Sequence, residues 1–290
     1  MESAHFLLSD RRYDGWGRPA CAARRFHRTP LTQQPFAEYS ACAHCGKSSL
    51  KSFHIFSAGA AQAVVERLLQ QSEPAGYTPE VRYGAVHTML SCILANEPAD
   101  VVILTKQLID ELIDKDQVVR GSRVDLGSVG TGVAVRNGVS LPDVSSVAAL
   151  RLTLLSASRI WCPAPSIATA GKVLMQALAH MDIAAQVQPS LVYCSSGFET
   201  LKKVQAGVGA NEIGVMQMTE IIAGIGLDRA QALPRELQVE TIYSAGLVQR
   251  SGSPDRARKF LKQIDEARTA LRSAGFGDGE LQLSQIAGVE

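Results

Sequence analysis

Hydrophobic positions along this chain fall into two alternating patterns. Short apolar runs of four or five residues, of the kind a parallel sheet buries on both faces, are each followed by a segment with apolar residues at three- and four-residue spacing, as on one face of a helix. The first pair sets the theme. Residues 53–57 read as a buried strand that breaks at Ser57-Ala58-Gly59. Ala61, Val64, Val65, Leu68 and Leu69 mark the face of a helix that starts at once. A strand entering a helix through small residues leaves backbone N–H groups free at the helix start, and such a joint can seat an anion.

The same alternation continues. Residues 80–83 predict a second strand ending at Gly84-Ala85-Val86-His87, and Thr88 begins a helix carrying Met89, Leu90, Ile93 and Leu94. Pro98 marks a turn. Residues 100–104 form a continuous apolar run, and Thr105 is placed to cap a helix over 106–114. Between 125 and 136 an apolar stretch is broken by Gly127, Gly130 and Gly132, which predicts a long strand that bends, or a hinge.

A second alternating set follows. It comprises a helix over 145–155, a strand over 159–162 stopped by Pro163 and Pro165, and a helix opened by Ser166-Ile167-Ala168-Thr169 and running to 180. Next come a strand over 189–193, a helix over 198–206 opened by Ser195-Ser196-Gly197, a strand over 211–216, and a helix opened by Gln217-Met218-Thr219-Glu220. A second long strand with Gly246 inside it spans 239–249. A helix over 254–273 then carries Phe260, Leu261, Ile264 and Leu271 on one face.

Repeated strand–helix units predict an α/β protein with right-handed connections. The two glycine-bearing long strands divide it into two lobes, each a mainly parallel sheet flanked by helices. The expected division is lobe one over 52–135, lobe two over 136–237, a return to lobe one over 238–275 and a tail over 276–290.

Composition changes this picture little. The chain has 290 residues, 46% of them hydrophobic, and a formal net charge of +1. That is enough for a large core, and it offers no charge excess for nucleic acid or a membrane surface. No apolar run approaches the ~20 residues that span a bilayer. The six cysteines (Cys21, Cys42, Cys45, Cys92, Cys162 and Cys194) form no disulfide framework. Residues 1–51 are different: arginine-rich and without helix or strand period, they predict a disordered basic leader or a start assigned too far upstream. They show no secretory signal. As written, the chain is expected in the cytoplasm; with a corrected start, in the periplasm. Cys42 and Cys45 form a lone CxxC whose surroundings match no standard zinc spacing. Gly46-Lys47-Ser48 lacks the first glycine of a phosphate-binding loop, since Ala41 stands there, and the 127–132 glycines have the wrong order for a dinucleotide fingerprint. Neither a metal nor a cofactor is expected, and the sequence has no GxSxG, HExxH or calcium-loop motif.

Three stretches resemble a known family: the Phe56-Ser57-Ala58-Gly59-Ala60 opening, the block from Tyr83-Gly84-Ala85 to the apolar run ending at Leu104 with its Asn96-Glu97-Pro98-Ala99-Asp100 turn, and Ile213-Gly214-Val215-Met216. They are similar to the molybdate-binding, solute-binding proteins of ABC importers, over roughly residues 52–275. The resemblance implies the type 2 periplasmic-binding-protein fold, a small anionic ligand, and the membrane subunit of an ABC importer as a partner. It also implies an oxyanion held by serine hydroxyls, helix-start N–H groups and a tyrosine from lobe two. Those positions correspond here to Ala60, the neighbourhood of His87, and Gln217. With all three changed, a ligand bearing carboxylates fits better than molybdate.

Two functions lead, with a ligand-sensing domain detached from a regulator ranked behind them because the leader shows no helix-turn-helix. In the first, a two-lobed binder closes over a small anion, held at the joints by Ser57, Gly59 and Ala60, by His87 and Thr88, by Ser166 and Thr169, by Ser195, Ser196 and Gly197, and by Gln217. In the second, the same scaffold isomerises an unsaturated polycarboxylic acid, as in the aconitate-isomerase-like members of the family. That chemistry needs an acid/base that titrates near neutral pH, and His87 is the one histidine at a joint.

Overall fold

The computed structural model describes residues 51–71, 77–209, 211–226 and 230–277, all within one compact unit. Residues 1–50, with Cys42, Cys45 and the Gly46-Lys47-Ser48 segment, lie outside the described residues, as does the tail beyond Gly277.

The chain builds β1 (Lys51–Ala58), a single 3-10 turn (Gly59–Ala61) that runs on into α1 (Gln62–Gln71), then β2 (Tyr77–Gly84), α2 (Val86–Leu94), β3 (Val101–Thr105), α3 (Lys106–Asp114) and β4 (Val124–Val129). It crosses at Gly130 into β5 (Thr131–Ala134), α4 (Val147–Ser156), β6 (Arg159–Pro163), α5 (Thr169–His180), α6 (Ala184–Val187), β7 (Leu191–Cys194), α7 (Gly197–Ala206), β8 (Glu212–Gln217), α8 (Met218–Ile225) and β9 (Ala230–Ala232). It returns through β10 (Thr241–Leu247) to α9 (Pro254–Glu266) and α10 (Arg268–Ser273).

Two five-stranded sheets result, in the orders β2-β1-β3-β10-β4 and β7-β6-β8-β5-β9. Each is mixed. Three parallel strands, β2-β1-β3 in one and β7-β6-β8 in the other, are joined by antiparallel strands that lead to or from the crossings. The crossings lie side by side. Thr131 N–H donates to Gln238 Oε1 and Thr131 O accepts from Gln238 Nε2, both at 2.8 Å. Gly130 O accepts from Met218 N–H at 2.9 Å.

Burial follows the apolar pattern. Phe53, Ile55 and Phe56 on β1, all four apolar residues of β3, and Ala61, Val64, Val65 and Leu68 along the first helix pack into the core of the first sheet. Phe53 meets Phe260 of α9 edge-on, with ring centroids 5.9 Å apart. A second core covers one face of the other sheet, around Val133, Ile160, Leu174, Leu178 and Val215, and a smaller one covers its opposite face. Thr105 caps α3, its side chain accepting from Leu108 N–H.

Several boundaries differ from the expectation, each for a local reason. The 125–136 stretch is two strands in two sheets rather than one bent strand. Helix α2 begins at Val86, which puts His87 inside its first turn. Helix α5 begins at Thr169, because Ala164 O first accepts from the N–H groups of both Ile167 and Ala168, closing a turn after Pro163. The 254–273 segment breaks at Ala267, where ψ reaches 31°. The short α6 and β9 have no counterpart in the hydrophobic pattern, since four and three residues carry no readable period. No helix among the described residues is long and apolar enough to cross a membrane.

Candidate functional site

The carboxyl ends of strands from both sheets face one another across a cavity of about 20 Å³, room for about one water. Its walls come from the ends of β1 (Ala58, Gly59, Ala60), β2 (Gly84, Ala85, Val86) and β6 (Pro163), and from the starts of α5 (Ala168, Thr169, Ala170), α7 (Gly197) and α8 (Gln217, Glu220). Tyr243 of β10 closes the floor. Open α/β sheets bind ligands in this location, outside the carboxyl ends of their strands.

Three of the helix starts here carry alanine as N-cap: Ala58, Ala85 and Ala168, none giving a side-chain cap. Alanine is a poor N-cap, costing about 1 kcal/mol against serine or aspartate. Side-chain caps occur elsewhere, by Thr105 on α3 and Ser146 on α4 away from this cavity and by Ser196 on α7 at its wall, while α6, α9 and α10, away from it, also lack one. The three alanine-capped starts border the cavity and leave first-turn backbone N–H groups without a side-chain acceptor at the positive ends of their helix dipoles, although the His87 N–H of α2 already donates to Ile167 O. Among the described residues no lysine, arginine or histidine lines the cavity.

Among the described residues the one acidic side chain in the wall is Glu220. It sits at the third position of α8, is 6% exposed, and reaches back so that Oε2 accepts from Gln217 N–H at 3.3 Å. This is one arm of a capping box. The reciprocal arm is loose, and Gln217 Oε1 is left without a well-formed hydrogen bond.

The Glu220 carboxyl packs directly on the two opposite joints. A Cβ built on Gly197 would lie 1.7 Å from Glu220 Oε2, and one on Gly59 would lie 2.6 Å from Oε1. Both glycines are therefore close-approach positions: any side chain there would expel the carboxyl. Burial dominates its titration. Removal from water pushes the Glu220 pKa up to about 7, only partly offset by the hydrogen bond from Gln217. Beside it, the Tyr243 hydroxyl accepts from Gln217 Nε2 at 3.2 Å and shares a side-chain hydrogen bond with Thr169. Burial first, then the Glu220 charge, raises the phenol well above its usual range.

A larger cleft of about 960 Å³ adjoins this cavity, sharing Val86 and Thr169 with it. Its walls are α2 and α3 on one side, α5 on the other, and residues 239–242 beneath. His87 lies in this mouth. Its backbone N–H donates to Ile167 O at 3.1 Å, its Nδ1 is 3.3 Å from the same oxygen, and its Nε2 is 3.5 Å from Lys172 Nζ. His87 thus ties the first sheet's α2 to the loop and helix of the second.

The predicted site residues divide accordingly. Gly59, Ala60, Thr169, Gly197 and Gln217 come together around the cavity; Ser57, Thr88, Ser166, Ser195, Ser196 and His87 do not line it. Ser57 is buried with its hydroxyl donating to Ala58 O at 3.0 Å, and Thr88 and Ser166 are exposed. Ser195 donates from both N–H and Oγ to Glu199 Oε2, at 2.7 and 2.5 Å. Ser196 caps α7 through Glu199 N–H. Two central residues, Glu220 and Tyr243, were missed. The signal for the first is only the Gln217/Glu220 capping spacing; for Tyr243 the sequence carries none, since it reads as one more apolar position of a strand. Among the described residues no group of three histidine, cysteine, aspartate or glutamate side chains is placed to hold a metal ion.

Comparison with known proteins bears on the family and the fold. Residues 53–277 match the family model described as bacterial extracellular solute-binding protein. An aconitate isomerase from Pseudomonas sp. is 31% identical over 186 residues, covering 62% of this chain and 68% of that protein. Among solved structures, the periplasmic molybdate-binding protein of Azotobacter vinelandii superposes with a TM-score of 0.67 at 16% identity, covering 79% of this chain and 100% of that one. The sulfate-binding protein SubI of Mycobacterium tuberculosis gives 0.61 at 17% identity, over 78% and 86%. At these identities the two structures speak for the fold alone.

Proposed function

Because the chain belongs to the bacterial extracellular solute-binding protein family, we propose that it binds a small organic acid with more than one carboxylate, closing its two sheets over it. The observation that carries this reading is the convergence of three uncapped helix starts, at Ala58, Ala85 and Ala168, on one cavity without cationic side chains. Such a wall holds an anion by backbone N–H groups. Thr169, Gln217 and Tyr243 add neutral polar contacts. Hydroxyls are absent at Ala60 and Gln217, where the resemblance would place oxyanion contacts, and this favours carboxylates over molybdate. The cavity is too small for such an acid, so the ligand enters by parting of the sheets about the crossings at Gly130 and Gln238. In this reading the partner is the membrane subunit of an ABC importer, and the ligand is collected outside the cytoplasm.

Calorimetric titration of the full chain with citrate, cis-aconitate, trans-aconitate, molybdate and sulfate tests the proposal. Saturable heat with a polycarboxylic acid is expected. Heat with molybdate or sulfate alone, or with none of the five, would overturn it.

A second reading is turnover of the acid rather than capture. It draws on the aconitate isomerase relative and on one observation that simple binding does not require, a titratable carboxyl buried in the ligand cavity. Interconversion of cis- and trans-aconitate, followed by ultraviolet absorbance, separates the two: no enzyme-dependent change leaves binding as the function.

A further inference from the structure

We propose that Glu220 is the acid/base of a 1,3-proton shift on an unsaturated polycarboxylic acid held in the cavity, with His87 confined to holding the two sheets together. The inference rests on the reading of the cavity as a polycarboxylic-acid site and assigns the chemistry within it.

The geometry separates Glu220 from an ordinary capping acid. A glutamate at the third position of a helix can cap from solvent. Here both facing joints are glycine, and at each the absent Cβ is what admits a carboxyl oxygen: Oε2 against Gly197 and Oε1 against Gly59. The carboxyl is thereby held in the wall of the cavity, among helix starts that would bind the substrate's carboxylates. Among the lining residues the titratable ones are Glu220 and Tyr243. Among the described residues that line the cavity there is no lysine, arginine or histidine to face Glu220. Its titration near pH 7 gives both protonation states at working pH, as a group that must take and return a proton requires. His87 has no comparable position. It sits in the mouth, with its N–H and Nδ1 against Ile167 O and its Nε2 facing Lys172.

The step balances without a cofactor. Ionised Glu220 takes a proton from the methylene carbon next to the double bond. The C–H electron pair forms the new carbon–carbon double bond, while the old double-bond pair moves out onto the carboxylate conjugated with it. The protonated carboxyl then returns the proton to the far carbon of the old double bond. One C–H bond breaks, one forms, and the double bond moves by one position; rotation about the transient single bond allows cis–trans interconversion. The charge that develops on the conjugated carboxylate is met by helix-start N–H groups, as in an oxyanion hole.

The test uses the full chain in deuterium oxide with cis- and trans-aconitate, followed by proton NMR, and with propane-1,2,3-tricarboxylate, the saturated analogue, in calorimetry. Wild type is expected to interconvert the isomers and place deuterium on the methylene carbon. Glu220→Gln is expected to bind the analogue within a few-fold of wild type and to lose interconversion and deuterium uptake by about 100-fold or more. His87→Ala is expected to keep deuterium uptake at the methylene carbon while releasing the acid faster, since the His87 contacts are to Ile167 O and Lys172 across the cleft. The wild-type kcat/KM is expected to rise with pH through about 7, a profile that a structural role would not give and that needs no variant to fold. Glu220→Gln working at the wild-type rate, or a wild type that binds the analogue and leaves both isomers untouched, overturns the inference while the binding reading stands. A wild type that binds neither isomer nor the analogue overturns the binding reading, and the inference with it.

Discussion

Replacing Glu220 by glutamine should make the protein more stable above neutral pH and change little at pH 5. In the unfolded chain the carboxyl titrates near 4.5; in the cavity burial moves it to about 7. Between those values the folded protein holds a proton that the unfolded chain has released, so folding is favoured by acid there and stability falls as pH rises. At about 1.4 kcal/mol per pH unit the whole interval amounts to on the order of 3 kcal/mol, all of it lost above pH 7. Glutamine keeps the shape and can still accept from Gln217 N–H, but it carries no charge at any pH. Urea unfolding of both proteins at pH 5 and pH 8 isolates the effect, since every other group titrates alike in the two. The variant should gain about 3 kcal/mol over wild type at pH 8 and under about 1 kcal/mol at pH 5, where the interval above 4.5 has only begun. A gap of equal size at both pH values, or a wild type more stable at pH 8, would refute the burial argument.

Three further substitutions have expected outcomes. Gly197→Ala places a Cβ 1.7 Å from Glu220 Oε2; it should cost about 1–3 kcal/mol in urea unfolding and, by displacing the carboxyl, weaken calorimetric binding of propane-1,2,3-tricarboxylate. His87→Ala removes the imidazole contacts to Ile167 O and Lys172 across the cleft, so in stopped-flow measurements bound acid should leave faster while its association rate stays near wild type. Ser146→Ala deletes the cap that accepts from Ala149 N–H on α4 and should cost about 1 kcal/mol, with ligand affinity unchanged because α4 does not reach the cavity.

The fold was legible because its core obeys simple periods. The buried run of β3, the helical face through Val64, Val65 and Leu68, and the Thr105 cap are local patterns, and local patterns survive folding. The glycines between 127 and 132 announced a break, but not that Gly130 passes the chain between sheets; that depends on pairing with β8 and β10, both far along the sequence. The site was half legible for the same reason. Gly59, Ala60, Thr169, Gly197 and Gln217 stand at strand–helix joints, which sequence reveals. The serines at the joints drew attention because hydroxyls bind anions, yet Ser195 and Ser196 are engaged with Glu199, and Ser57 with Ala58 O. In sequence His87 reads as the acid/base because histidine as a residue type titrates near neutrality unaided. Burying a carboxylate reaches the same range by another route, and burial is a property of tertiary structure. Nothing near Glu220 in the chain foretells that Gly59 and Gly197 will close around it.

A crystal structure of the full chain grown with propane-1,2,3-tricarboxylate tests the central claim most directly. The acid should lie between the two sheets, with carboxylate oxygens on N–H groups at the starts of at least two of the Ala58, Ala85 and Ala168 helices and with Glu220 within hydrogen-bond reach. An empty cleft at saturating acid, or the acid bound on an outer face with the cleft closed as described, would contradict the account.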